Sequence, residues 1–212
     1  RVVDAACEQA KQGSIDTPSD YQTDISVAYL RELQAKFDVQ AIYPATSLQQ
    51  GFIYHYLSQP DDDAYRVQLM LDYECALDSQ KFKQAWTLAS LKFPVLRTAF
   101  DWNSELIQVV TKDASISEAN FSECDISHLP QEKREEELAN ILKDDRKVPF
   151  DLSKPGLIRF TLIKQADNLY SVLKTEHHGI GDGWSGAILL DTRTPSSCHR
   201  RARQCCKRFA IA

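Results

Sequence analysis

The chain has 212 residues, of which 43% are hydrophobic and 26% charged, with a formal net charge of -5. This is the composition of an ordinary soluble globular domain with enough apolar residues for a sizeable core. No stretch is long and apolar enough to span a bilayer, and no cleavable signal pattern opens the chain, so a cytosolic protein is expected. The weakly acidic balance argues against a nucleic-acid partner.

The charge is uneven. Of 25 Lys and Arg residues, six fall in 192–212, a segment without acids; the remainder of the chain carries 19 basic residues against 30 acidic. That basic tail is a different kind of sequence from the body. The cysteines are Cys7, Cys75, Cys124, Cys198, Cys205 and Cys206, with no CxxC spacing, and reduced thiols are expected. A zinc site built from Cys198, His199, Cys205 and Cys206 is disfavoured because the paired spacing of structural sites is missing.

Residues 1–25 are polar and read as a linker, and the opening Arg1 suggests a piece of a longer protein. Val27, Leu30, Leu33 and Phe37 recur at helical spacing, which predicts a short amphipathic helix over 26–37. Residues 41–44 read as a turn-like approach to a second helix, capped by Thr46 or Ser47 and carrying Leu48, Phe52, Ile53, Tyr56 and Leu57. Alternation of Val67, Leu69, Leu71 and Tyr73 predicts a strand over 65–75. Asp78 caps a third helix, with Phe82, Ala85, Trp86, Ala89 and Leu91, that Pro94 stops.

Strands are expected over 96–101 and 106–110, joined by a turn at Asn103 and Ser104; 116–121 is loop or strand. Pro130 opens a charged helix over 131–147, whose charges read as a solvated face. After a loop at 150–155, strands are expected over 157–164 and 169–176, with a turn at Asp167 and Asn168. This order suggests a mixed α/β sandwich rather than a doubly wound sheet.

The most informative stretch follows the last strand. Residues 176–185 read EHHGIGDGWS: two adjacent histidines, an aspartate four residues on, and three glycines, before an apolar helix. The glycines allow positive φ or a close approach to a ligand. Adjacent strand residues point to opposite faces, so one histidine can pack in a core while the other lies exposed, with no chemistry implied. The same opposition suits catalysis: His178 facing a cavity would accept a proton near neutral pH, while His177 supports the turn from the other side. Asp182 would orient the loop or pair with a buried cation. Metal binding by His177, His178 and Asp182 is disfavoured, because the two rings diverge.

HHGIGDGWS resembles the HHxxxDG signature of the condensation domains of nonribosomal peptide synthetases, in the superfamily of chloramphenicol acetyltransferase and other HxxxD acyltransferases. YPATSLQQGFIYHYL (43–57) resembles the first core motif, and 64–68 continue the match. LRTAF (96–100) resembles the LRTxF motif, FDLSKPGLIR (150–159) the segment before the last strand pair, and TPSDY (17–21) a linker preceding some such domains. The similarity covers roughly 17–190 in the family's order.

The resemblance implies a chloramphenicol acetyltransferase-like α/β lobe over 26–190, a mixed sheet flanked by helices, and one half of a two-lobed condensation domain. It implies amide-bond formation between acyl and aminoacyl thioesters, delivered by two carrier proteins on phosphopantetheine arms, with no cofactor or metal bound directly. His178 would be catalytic and His177 structural. Gly183 would offer a backbone N–H near the reacting carbonyl. Arg97 would reach Asp182 and lock the loop. Trp184, expected to pack in the core, and Ser185 make the subtype resemble peptide-bond-forming domains rather than epimerization domains.

A whole condensation domain is about twice this length, so the C-terminal lobe is expected to be missing, the isolated lobe to be inactive, and the face meant for that lobe to be exposed and prone to self-association. The tail over 191–212, broken by Pro195, departs from the family and is expected to be mostly disordered. Two other readings are an HxxxD acyltransferase that completes its site by oligomerising, and a non-catalytic docking module for carrier proteins.

Overall fold

A computed structural model describes residues 3–4, 7, 16–21, 23–191 and 206–211. Two β-sheets are packed with helices, of which the first three bury apolar residues against them.

The smaller sheet is antiparallel, in the order β1 (Val39–Pro44), β4 (Ile107–Thr111), β3 (Thr98–Asp101). The residues expected as a turn-like approach, 41–44, are therefore strand: Ala41 to Pro44 pair with Val110 to Ile107. Their apolar content is too short to show a period, and pairing with β4 decides the conformation. Helix α1 (Val27–Lys36) is capped by the Ser26 hydroxyl, which accepts the Tyr29 N–H. Its Tyr29, Leu30 and Leu33 form a core with Ile25, Val39, Ile42, Ile107 and Val109. The Tyr29 hydroxyl also donates to buried Asp101, which pins α1 to β3.

The larger sheet runs β5 (Phe121–Asp125), β6 (Ile158–Ala166), β7 (Leu169–His177), β2 (Arg66–Tyr73), β8 (Cys206–Ile211). Only the β5–β6 pair is parallel. The stretch 116–121, read as loop or strand, holds a 3₁₀ turn at Glu118–Asn120, and the strand β5 begins only at Phe121. One face of this sheet carries Leu71, Tyr73, Ile158, Phe160, Leu162 and Val172, and packs against Trp86 and Ala89 of α3 (Ser79–Lys92) and Ile53 of α2 (Ser47–Ser58). The opposite face lies under α4 (Gln131–Lys147), which buries no residue of its own and meets the sheet through polar side chains.

Of residues 192–212, those described are Cys206–Ile211, as an edge strand antiparallel to β2. The rest of the tail, including Cys198, His199 and Cys205, lies outside the described residues. Among the described residues no group of His, Cys, Asp and Glu is placed to hold a metal ion, and no helix is long and apolar enough to cross a membrane.

Candidate active site

Strand β7 ends at His177 and the chain turns at once through a 3₁₀ turn, His178–Ile180, into α5 (Gly183–Asp191). The ladder holds to its last rung: His177 N–H donates to Leu157 O at 3.0 Å, and His178 N–H to Tyr65 O at 2.9 Å. The two histidines therefore start from a fixed backbone and diverge.

His177 points under the turn. It is buried among Phe52, Tyr65 and Phe150, whose rings meet it at steep angles with centroids 6.3–6.5 Å away. Its Nδ1 accepts the Gly179 N–H at 3.0 Å, so the proton sits on Nε2. Burial, then the neighbouring His178 and Arg66, push its pKa down to about 4, and it is neutral at physiological pH.

His178 is half-buried on the other side. Its ring stacks on Phe52, at 5.3 Å between centroids and 24° between planes. Its Nδ1 lies 2.6 Å from Gly181 O. A carbonyl only accepts, so Nδ1 carries a proton, and in the neutral ring it is Nε2 that holds the lone pair. No described residue hydrogen-bonds that Nε2. The neutral tautomer needed for a general base is thus set by one main-chain contact.

The turn is clamped to both sheets through Gln49 in the first turn of α2. Its Nε2 donates to Gly179 O and to Gln108 Oε1 of β4, both at 3.0 Å. Its own Oε1 accepts the Thr46 N–H, closing a capping box. Gln49, Phe52 and Tyr65 were given no role by sequence reasoning. The Thr46-x-x-Gln49 box was the legible signal for the first. The other two lie in the segments that resemble family motifs, but only their packing on the histidines reveals their use.

Of the turn glycines, Gly179 acts by size rather than by handedness. Gly156, before β6, is the described glycine with positive φ, at 83°; Gly181 is extended, at -170°. At Gly179, a Cβ would stand 3.0 Å from His177 Nδ1 and 3.3 Å from the Phe100 ring, so a side chain there would push the buried histidine from its seat.

Asp182 does not meet Arg97. Its Oδ1 accepts the N–H groups of Trp184 and Ser185, at 3.0 and 2.8 Å, and the Ser185 hydroxyl at 2.8 Å. These bonds, led by the Ser185 N–H, hold the exposed carboxyl below its usual range. The unpaired amides at the start of α5 are nearer and already point at it, which is why capping wins over a distant ion pair. Gly183 N–H is not among the groups it captures.

Arg97 is buried at the far end of α3. Its Nε donates to Ser90 O at 2.7 Å and its Nη1 to Gln40 Oε1 at 2.6 Å and to Thr111 O. It caps the carbonyl end of α3, where a cation is favoured. A groove of about 570 Å³ opens beside it, lined by Asp16, Tyr21, Gln40 and Lys112 but by none of the turn residues.

Trp184 is also not where core packing would place it: it is 83% exposed. It stands in the first turn of α5, and the face of that helix turned to the core carries Leu189 instead.

A family model for the condensation domain matches residues 39–193. N-(5-amino-5-carboxypentanoyl)-L-cysteinyl-D-valine synthase of Penicillium rubens is 33% identical over 185 residues, which is 87% of this chain and 5% of that protein. Bacitracin synthase 3 of Bacillus licheniformis is 31% identical over 179 residues, 82% of this chain and 3% of that protein. The chain thus spans a small part of the curated relatives it matches. Among solved structures, the starter condensation domain of rhizomide synthetase superposes with a TM-score of 0.61 at 19% identity, over 70% of this chain and 36% of that one. The first condensation domain of the calcium-dependent antibiotic synthetase gives 0.62 at 21% identity, over 71% and 35%. The fold is the α/β lobe of those domains, and the chain belongs to the condensation domain family.

Proposed function

We propose that the chain is the N-terminal half of a condensation domain of a nonribosomal peptide synthetase. Completed by its C-terminal half, it joins an acyl or aminoacyl donor to an aminoacyl acceptor, each held as a thioester on the phosphopantetheine arm of a carrier protein. The observation that carries this reading is the tautomer of His178: Nδ1–H engaged by Gly181 O, and Nε2 left open on a half-exposed ring.

The acceptor amine attacks the donor carbonyl, a C–N bond forms, and the C–S bond to the donor arm breaks. Nε2 of His178 takes the proton the amine sheds and returns it to the leaving thiolate. Gly183 offers its N–H to the carbonyl oxygen as charge develops there. Asp182 shapes this end of the turn by starting α5, and His177 supports it from below. Arg97 braces α3 and β4, away from the reacting groups. No directly bound cofactor is needed for these steps.

The isolated chain is inactive in this reading, since it matches only about a third of the solved condensation domain chains. Exposed Leu48, Tyr54 and Leu57 on α2 and Trp184 on α5 supply apolar surface for the missing half, and for self-association in its absence. A cytoplasmic location accords with carrier-bound substrates.

The test is to supply the missing half together with donor and acceptor carrier proteins, and to compare amide formation by wild type and His178→Ala. The expected loss is about 10²–10⁴-fold with the melting temperature nearly unchanged. Equal product from the two would overturn the role of His178, and turnover by the lone chain that requires His178 would overturn the half-domain reading.

A further inference from the structure

Helix α4 is mostly charged, yet its last turn meets the larger sheet. The Asp145 carboxylate, 9% exposed, meets donors from three strands. Arg159 Nε of β6 donates at 2.6 Å, Gln68 Nε2 of β2 at 2.7 Å and Thr175 Oγ1 of β7 at 2.5 Å. Burial raises this carboxyl's pKa, but the hydrogen bonds from Arg159, Thr175 and Gln68 outweigh it, and the group is held below its ordinary range. Arg159 Nη2 also donates to Asp145 O at 2.6 Å, which fixes the plane of the guanidinium.

That plane has a use. The guanidinium lies 4.4 Å over the Phe150 ring. Phe150 meets His177 edge-on, at 6.5 Å and 80°. His177 holds the Gly179 N–H. The contacts run without a gap from the end of α4 to the turn that carries His178.

We infer that Asp145 and Arg159 are positioning residues of the catalytic turn, holding Phe150 against His177 and, through His177, the backbone on which His178 stands. A buried ion pair is a weak source of stability compared with apolar packing, so a geometric role accounts better for its place here. The inference rests on the reading of His178 as the base only for its consequence in catalysis; the mechanical link can be tested without turnover. The charged and titratable groups around His177 are Arg66 of β2, Tyr65 and the adjacent His178, with His55, Tyr56 and Asp62 across a small cavity.

The experiment compares the chain with its Asp145→Asn and Arg159→Lys variants, following amide hydrogen exchange and the imidazole nitrogen shifts of both histidines. In each variant Gly179 N–H should exchange at least about tenfold faster than in wild type, with β3 and β4 unchanged. The protonation midpoint of His177 should rise by about one pH unit as its seat loosens. Asp101→Asn, which weakens the hold on α1 at the other sheet, serves as the control and should leave the turn's exchange as it is. If Asp145→Asn does not fold, Arg159→Lys keeps the charge and decides alone. Wild-type exchange at Gly179 and wild-type His177 shifts in the folded variants would overturn the inference, whatever the activity of His178 proves to be.

Discussion

His177 and His178 are neighbours in the chain and opposites in surroundings. Under the turn, His177 is enclosed by Phe52, Tyr65 and Phe150 and held neutral. On the open side, His178 keeps one face on Phe52 and one nitrogen free, while Asp182 and Trp184 are exposed beside it. The packing is done on one side so that the other can remain open. A catalytic ring cannot be both enclosed and accessible, and the pleat of a strand end lets adjacent residues divide the two tasks.

The sharpest way to break this contrast is to cut the enclosed side at its root. Asp145→Ala leaves the half-buried Arg159 guanidinium without its carboxylate, and should cost about 3 kcal/mol in denaturant unfolding. A loss near that of a surface substitution would mean the underside is not anchored at α4.

The second test uses protons instead of mutations. His177 has a folded pKa of about 4 against 6.5 for the unconstrained ring. Its contribution is fully present above pH 6.5 and is lost as pH falls toward 4, because the unfolded chain takes up the proton first. The loss over that window should be about 3 kcal/mol, and it should vanish in His177→Gln. The carboxylates held low by hydrogen bonds, Asp145 among them, act only further down the acid limb.

The smallest expected effect concerns a pair that does not exist. Arg97→Ala should cost about 3 kcal/mol by leaving buried carbonyls without a donor. Asp182→Ala should bring a small fall in melting temperature through its lost cap. The double variant should equal the sum of the two within about 0.5 kcal/mol. A larger coupling would restore the proposed lock between Arg97 and Asp182.

Much of the fold was legible because most elements have clear ends. Thr46 and Asp78 cap their helices as their positions suggested, and alternation in 67–73 marked β2. What failed was non-local. Residues 41–44 became a strand only because β4 lies beside them. The charges of α4 looked solvated because nothing local says that Asp145 faces three donors from distant strands. At the site, the opposed faces of His177 and His178 followed from strand geometry. The partners of Arg97 and Asp182 did not, since both are met largely by main-chain groups, carbonyl acceptors for Arg97 and N–H donors for Asp182, which leave no trace in side-chain identity. Trp184 misled because a large aromatic is usually buried, and here it is on the surface.

The most direct test is nitrogen NMR of the histidine rings at neutral pH. His178 should show a protonated Nδ1 and a bare Nε2, and His177 the reverse. A His178 ring with its proton on Nε2, and Nδ1 as the acceptor, would leave no lone pair facing outward and would contradict the account.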